Sequence, residues 1–246
     1  AGNETASQIN FRTGGTSRMV IDANSRLSLS NNDAGGTAGK DSTTGNTLFG
    51  YGAGGTIDAN TINNTFIGHG SGDGSKSDAQ ANTGLGTYSL NSLTSGDSNV
   101  AVGYLALEDL TSGTVNVAIG QQAGADLTTT GAIHNVIVGT QALYRATTGA
   151  GYNVAIGSYA MGGNFTTANV DSCVAIGYEA LNGTLTTDAT GTVAVGQRAA
   201  KAITSGAGNT AIGFKALTAE NDGDHNTAVG YEALATQNAS DGDGQN

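Results

Sequence analysis

The sequence contains no proline, no tryptophan and a single cysteine, Cys173. Without proline the chain cannot be collagen-like, and the glycine period of three that a collagen triple helix needs is also absent. One cysteine rules out a disulfide framework within the chain, so the redox compartment stays open. No apolar run reaches the 18 residues of a membrane-spanning helix and no signal peptide is visible, so we expect no membrane partner.

Charged residues are scarce, at 12% of the chain, and cations are the scarcer sign. Nine Lys and Arg stand against 20 Asp and Glu, which gives a formal net charge of −11. Such a chain lacks the basic surface through which proteins bind nucleic acid or anionic membranes. We therefore expect no nucleic-acid partner.

Glycine is abundant instead, with 40 residues, and 37% of the chain is hydrophobic. A disordered glycine-rich linker would be poor in apolar side chains. The combination favours a regular architecture with many tight turns.

A five-residue motif, Asn-Thr/Val-Ala-Ile/Val-Gly, recurs eleven times along the chain. Its glycines lie 17 to 20 residues apart, with a mean of 18, and positions in each repeat are counted from that glycine as zero. Such self-similarity is the signature of a repeat architecture. The motif glycines are Gly50, Gly68, Gly86, Gly103, Gly120, Gly139, Gly157, Gly177, Gly196, Gly213 and Gly230.

Each position around the motif glycine has its own chemistry. Position −3 is always Thr or Val, position −1 is always apolar, and position −2 is Ala in seven copies. Apolar residues recur at +4 and often at +7 or +8, and the segments between motifs are polar and variable in length. Position −4 is Asn in nine copies, with Cys173 and Thr192 as the exceptions. The nine asparagines are Asn46, Asn64, Asn82, Asn99, Asn116, Asn135, Asn153, Asn209 and Asn226.

This period predicts the fold class. About 18 residues are too few for two packed helices, and the β-branched motif favours a strand. One coil of this length holds two short strands and two turns, and it cannot bury its apolar face alone. Stacked coils can, because each strand then pairs in parallel with the same strand above and below. We predict an all-β fold, a parallel β-solenoid of about eleven coils and roughly 50 Å in length.

The motif strand is apolar on both faces. In residues 153–157, Val154 and Ile156 share one face, whereas Asn153 and Ala155 lie on the other. A strand that is apolar on both sides is usually buried on both sides. One face can pack inside its own coil, and a partner chain is the simplest cover for the other.

The two polar or special positions of the motif have structural interpretations. Asparagines in stacked coils can hydrogen-bond to one another as a ladder, and they also satisfy turn backbone. The motif glycine is expected where φ is positive or where a side chain would not fit.

The stretch Asn-Thr-Ala-Val-Gly-Tyr-Glu-Ala-Leu at 226–234 resembles the repeats of bacteriophage tail-fibre proteins. It also resembles, less closely, the head repeats of trimeric autotransporter adhesins. Both resemblances imply a left-handed parallel β-roll, built as an elongated homotrimer with the motif strands near the trimer axis. They cover residues 46–234. The coils here are longer than those of adhesin heads, and the adhesin stalk and anchor and the self-cleaving chaperone domain of many phage fibres are absent.

The first 45 residues read differently and help to choose between the two families. Residues 9–13, 18–22 and 26–30 are typical of three short strands, with turns at Gly14–Gly15 and Asn24. The stretch at 18–22 is similar to a segment common upstream of such repeats in phage fibres. We therefore divide the chain into a connector to an upstream fibre at 1–45 and a β-roll repeat domain at 46–246. The start at Ala1 and the end at Asn246 suggest a piece of a longer or processed array.

The expected function is a structural segment of a bacteriophage tail fibre, located in the virion and extracellular. It would give reach and contact a host receptor through its variable turns. Expected partners are two further copies, other fibre or baseplate proteins, and a host surface glycan or protein. The alternative is the head of a trimeric adhesin on a bacterial cell surface. A glycan-cleaving enzyme would need paired carboxylates in a groove, which the motif strands do not offer, so we expect no enzyme and no cofactor.

Residues with chemical potential are few and scattered. His134 and His225 both precede a motif asparagine, but five coils separate them, roughly 24 Å, and His69 follows its glycine. We expect turn or surface roles rather than catalysis. Cys173 predicts a small buried residue, with a thiol cluster at a trimer axis as the alternative. Residues 222–226 resemble the start of a calcium loop but lack the later Gly and Glu of an EF-hand, which favours a solvated acidic turn and no metal.

Aromatic residues follow the motif glycine directly in five copies. This recurrence favours packing between coils, and the alternative is an exposed row that stacks on sugar rings. The five residues are Tyr51, Tyr104, Tyr178, Phe214 and Tyr231.

Overall fold

The computed structural model describes most of the repeat region and part of the segment before it. It covers the backbone of 9–13, 16–21 and 27–29, and residues 45–237 apart from 59, 129–130, 147–149, 166–169 and 187–188. Fourteen strands are present in these ranges.

Three strands precede the repeats: β1 (Ile9–Thr13), β2 (Thr16–Ile21) and β3 (Leu27–Leu29). They pair as an antiparallel sheet in the order β1-β2-β3. The predicted strands at 9–13, 18–22 and 26–30 are therefore confirmed, with ends that differ by one or two residues. The turns predicted at Gly14–Gly15 and Asn24 lie outside the described residues, and the domain boundary at 45/46 stays a prediction.

Each repeat then contributes one strand of three residues, at positions −3 to −1. The coils are numbered 1 to 11 with these strands. They are β4 (Thr47–Phe49), β5 (Thr65–Ile67), β6 (Thr83–Leu85), β7 (Val100–Val102), β8 (Val117–Ile119), β9 (Val136–Val138), β10 (Val154–Ile156), β11 (Val174–Ile176), β12 (Val193–Val195), β13 (Thr210–Ile212) and β14 (Thr227–Val229).

The eleven strands form one parallel sheet in sequence order, β4 to β14. Equivalent residues pair without any shift of register, as Val154 does with Val174 and Ala155 with Ala175. The predicted β-solenoid is confirmed. Ten steps of roughly 4.8 Å make the sheet about 48 Å long.

One expectation about the coil is wrong. The sequence predicted two strands per coil, but in the described residues each coil has one strand and a stack of turns opposite. Positions +2 and +4 adopt left-handed backbone even without glycine, as at Leu105 (φ 57) and Leu107 (φ 50). Alternating left-handed residues cannot continue a strand. Coil-to-coil bonds persist through the turns, for example from the Leu107 N–H to the Ala123 carbonyl at 3.0 Å.

The core is a thin column between the sheet and the turns. The central strand residue, position −2, is buried in ten of the eleven strands. It packs with the apolar residues of +4 and +7 or +8. Those residues are fully buried or nearly so: Leu90, Leu93, Leu107, Leu110, Leu127, Leu143, Met161, Phe165, Leu181, Leu185, Ile203 and Leu217.

Large residues at −2 are matched by glycine at +4. Phe66 replaces the usual Ala, and a Cβ on Gly72 in the same coil would lie 2.7 Å from its ring. Ile137 is matched in the same way by Gly124 of the coil below, at 2.9 Å. Because a close-packed interior tolerates little change in volume, the two positions share one space.

Candidate functional site: the outward sheet face

The outward face of the parallel sheet consists of positions −3 and −1 from every coil. All 22 residues are Thr, Val, Ile, Leu or Phe, so the face has no charge. None of them is buried. In the middle of the sheet Ile119 is 42% exposed and Val136 is 38% exposed. A strip of about 48 Å by 10 Å is roughly 500 Å², as large as the largest patches on ordinary monomers.

The size of the coil interior decides which strand face points outward. The alternation of side chains allows either choice, and the sequence pattern did not decide between them. The inward face carries Ala in most coils because the +4 and +7 side chains already fill the thin interior. The β-branched residues are therefore directed to the surface. An apolar face of this length is an interaction surface by ordinary criteria.

The asparagines at −4 form a buried column beside the strands, each at most 4% exposed. In the intact part, the side-chain oxygen of one Asn accepts both the backbone N–H and the side-chain N–H of the next. Asn99 Oδ1 thus accepts from Asn116 N and Nδ2, both at 3.0 Å. The Nδ2 of Asn116 also donates to the Ala132 carbonyl at 2.7 Å. The column links coils 1 to 7 without a gap, from Asn46 to Asn153.

The column is interrupted in coils 8 and 9. Asn153 Oδ1 accepts only the backbone N–H of Cys173, at 2.9 Å, because a thiol has no second amide donor. Cys173 is fully buried, as expected, and its Sγ lies 3.3 Å from the Ala189 carbonyl. Its thiol therefore points into its own coil and away from the outward face, so the expected alternative of a thiol cluster between chains receives no support. Burial raises its pKa to about 11, which keeps it in the unreactive thiol form.

The eleven motif glycines end the strands with φ between 129° and 138°, a region that side-chain-bearing residues avoid. In coils 1 to 10 a Cβ would also lie within 2.6 Å of the backbone of the motif glycine in the next coil. Two independent constraints thus require glycine at position zero.

The histidines and aromatic residues lie at the surface beside the outward face. Tyr51 is 82% exposed and its ring centroid is 5.3 Å from that of His69, which also contacts Tyr88. His134 stacks on Tyr152 at 5.2 Å. Phe214 and Tyr231 stack between coils 10 and 11 at 5.1 Å, as packing between coils predicts.

The remaining members of that aromatic row, Tyr104 and Tyr178, are 49% and 42% exposed. Both expectations for the row therefore hold in part. Its rings are surface residues, and some of them pack between neighbouring coils.

Two charged residues are buried in the apolar column at +7 and +8, a break in the pattern that sequence reasoning missed. Lys76 Nζ donates to the carbonyls of Gly72 and Gly74, and it lies 5.1 Å from the Phe66 ring centroid. Desolvation lowers its pKa to about 8. Glu220 Oε1 accepts three backbone N–H groups of the following turn, the closest from Gly223 at 2.8 Å. Each charge thus satisfies turn backbone.

Acidic residues on the turns have two arrangements. Half-buried Glu108 and Asp126 have a raised pKa, chiefly because of desolvation and then because of the neighbouring carboxylate of Asp109. At position −6, Asp97, Asp171 and Asp224 each accept a backbone N–H from the preceding coil at 2.7 Å. Asp224 of the calcium-like stretch therefore clips one coil to the next.

The part of the chain that the structure describes contains no group of three His, Cys, Asp or Glu residues able to hold a metal ion. Within the same ranges, no helix has the length and apolar character needed to cross a membrane. The fold and the surface define a class, the β-solenoid repeat proteins. No protein-family model, curated protein or solved structure matches the chain.

Proposed function

We propose that the chain is a structural segment of an elongated fibre in which three copies associate through their outward sheet faces. The observation that supports this is the uncharged apolar strip of positions −3 and −1, which stays exposed along the whole sheet. Water contact with such a strip is unfavourable at about 25 cal/mol per Å². Covering roughly 500 Å² would contribute about 12 kcal/mol per chain before the entropy of association is subtracted.

The flanking columns widen this surface toward the size of a stable interface. Positions −5 and +1 add Val115 (44% exposed), Tyr152 (58%) and Tyr104 (49%) beside the central strip. A standard interface takes about 800 Å² from each partner, and this wider surface approaches that area. Acidic side chains lie on the turns, so the net charge of −11 would not oppose contact at the face itself.

The number of copies, the left-handed coil and the biological setting rest on the resemblance to bacteriophage tail-fibre repeats. In that setting the segment gives reach within a virion, and residues 1–45 join it to other fibre or baseplate proteins. The polar turns, which vary in length while the core stays constant, would contact a host surface glycan or protein. The head of a bacterial trimeric adhesin is the second candidate, supported by the same repeated Val-Ala-Ile-Gly core.

The oligomeric state tests the proposal. Light scattering on the purified protein should give three times the 24.2 kDa chain mass. Val136→Glu places a charge in the centre of the face and should yield monomers, because an unpaired buried charge is strongly disfavoured. Ser75→Glu, on an exposed turn, is the matched control and should stay trimeric. A monomeric wild-type chain would refute the association.

Labelling on intact particles separates the two settings. An antibody against the repeat region should decorate the fibres of a virus particle in electron micrographs. Decoration of a bacterial surface instead would favour the adhesin.

A further inference from the structure

The asparagine column divides the solenoid into two parts of unequal cohesion. Between coils 1 and 7 every interface has two column bonds, from N and Nδ2 of one Asn to Oδ1 of the previous one. The interface of coils 7 and 8 keeps one such bond, to the N–H of Cys173. Among the described hydrogen bonds, none joins the −4 side chain of coil 8 to coil 9, or that of coil 9 to coil 10.

Substitute contacts at this joint are weaker or exposed. Cys173 Sγ and Thr192 Oγ1 bond to carbonyls of their own coils, at 3.3 Å to Ala189 and 3.4 Å to Gly206. Coils 8 and 9 are also linked by Glu179, whose Oε2 accepts from Arg198 Nε at 2.8 Å and Lys201 Nζ at 2.7 Å. Surface ion pairs of this kind contribute little to stability.

We propose that coils 9 to 11, residues 193–229, separate from the rest of the solenoid as one unit at this joint. The backbone bonds of the sheet continue across it, so the native state is intact. In a linear repeat array, opening occurs where the interface between neighbours is weakest. Two missing hydrogen bonds make opening at this joint about thirtyfold more favourable than at an intact interface. The inference does not depend on the biological setting or on the number of copies.

Hydrogen exchange measured by mass spectrometry is the direct test. Amides of 193–195, 210–212 and 227–229 should exchange together through one opening. Those of 100–102, 117–119 and 136–138 should be protected at least thirtyfold more, with the step between coils 8 and 9. A smooth gradient from the C-terminal end, without a step at coil 8, would overturn the proposal, because fraying of any chain end produces a gradient.

The sole cysteine provides a second readout. Cys173 is fully buried beside the joint, so a thiol reagent reaches it only when coil 9 moves away. Its labelling in low urea should depend on urea less steeply than global unfolding followed by circular dichroism. Equal dependence would show that the thiol is exposed only by complete unfolding and would contradict the proposal.

Repair of the column is the decisive variant. Cys173→Asn combined with Thr192→Asn rebuilds two column bonds at each of the two defective interfaces. The exchange of 193–229 should then slow by about thirtyfold and the step should disappear. Asn182→Ala in coil 8 lies outside the column and should leave the step unchanged. A step that persists in the repaired variant would overturn the proposal.

Discussion

Replacing one asparagine in the intact column should destabilise the protein far more than an ordinary polar substitution. Asn116 is fully buried in coil 5 and takes part in four side-chain hydrogen bonds. Its Nδ2 donates to Asn99 Oδ1 at 3.0 Å and to the Ala132 carbonyl at 2.7 Å. Its Oδ1 accepts from Asn135 N at 3.2 Å and Asn135 Nδ2 at 2.8 Å.

Asn116→Ala removes all four bonds and leaves the backbone N–H of Asn135 without that acceptor. At roughly 1 kcal/mol for each bond, the free energy of unfolding should fall by about 4 kcal/mol. Asn116→Asp has the same shape but keeps only the two acceptor interactions. It places carboxylate oxygens against Asn99 Oδ1 and the Ala132 carbonyl, so it should be at least as damaging at pH 7.

The aspartate variant also has a pH signature. Burial beside two acceptors would raise the pKa of this carboxyl in the folded state above its unfolded value near 3.9, so stability is retained below that pH and lost as pH rises through the folded pKa. Urea denaturation followed by circular dichroism, at pH 3.5 and pH 7, measures both effects. Exposed Asn60→Ala is the control and should change stability by less than about 0.5 kcal/mol. A loss in Asn116→Ala no larger than in this control would refute the account of the column.

Three further predictions concern the core, a buried charge and the backbone. Phe66→Ala should cost about 3 to 5 kcal/mol and Gly72→Leu should be destabilising through its clash with the ring; the double variant should lose at least 2 kcal/mol less than the sum in a urea double-mutant cycle, and simple additivity would contradict the shared volume. Because the folded pKa of Lys76 is about 8 against 10.5 for the free group, stability is fully present above pH 10.5 and falls as pH drops through 8. The total is about 3 kcal/mol, and Lys76→Met should abolish this part of the pH profile. Val115 is a β-branched residue at φ 58, where Asn63 occupies the same position of coil 2. Val115→Asn should therefore raise stability by about 1 kcal/mol in thermal unfolding, and no gain would show that the strain is relieved elsewhere.

Much of the fold could be predicted because repetition multiplies weak signals. A single Val-Ala-Ile-Gly stretch suits a strand or a buried helix segment, but eleven copies at 17 to 20 residues allow only stacked coils. The same repetition identified the asparagine column and the glycines. The antiparallel strands at 9–13 and 16–21 followed from local alternation alone.

Other features could not be predicted because they depend on neighbours in space. Lys76 and Glu220 occupy apolar positions, and only the turn carbonyls and N–H groups around them explain why. The Asp at −6 looks like any surface acid until the N–H of the preceding coil is seen beside it. The pairing of Phe66 with Gly72 requires knowledge of which side chains share the interior.

By itself the sequence determined the period, the register and the identity of the column residues, because a repeated pattern can be satisfied only by stacking equivalent positions. The tertiary structure alone decided that each coil has one strand and that the β-branched face points outward. The reason is volume: the turn residues fill a narrow interior, alanine is what fits against them, and the larger side chains are left at the surface.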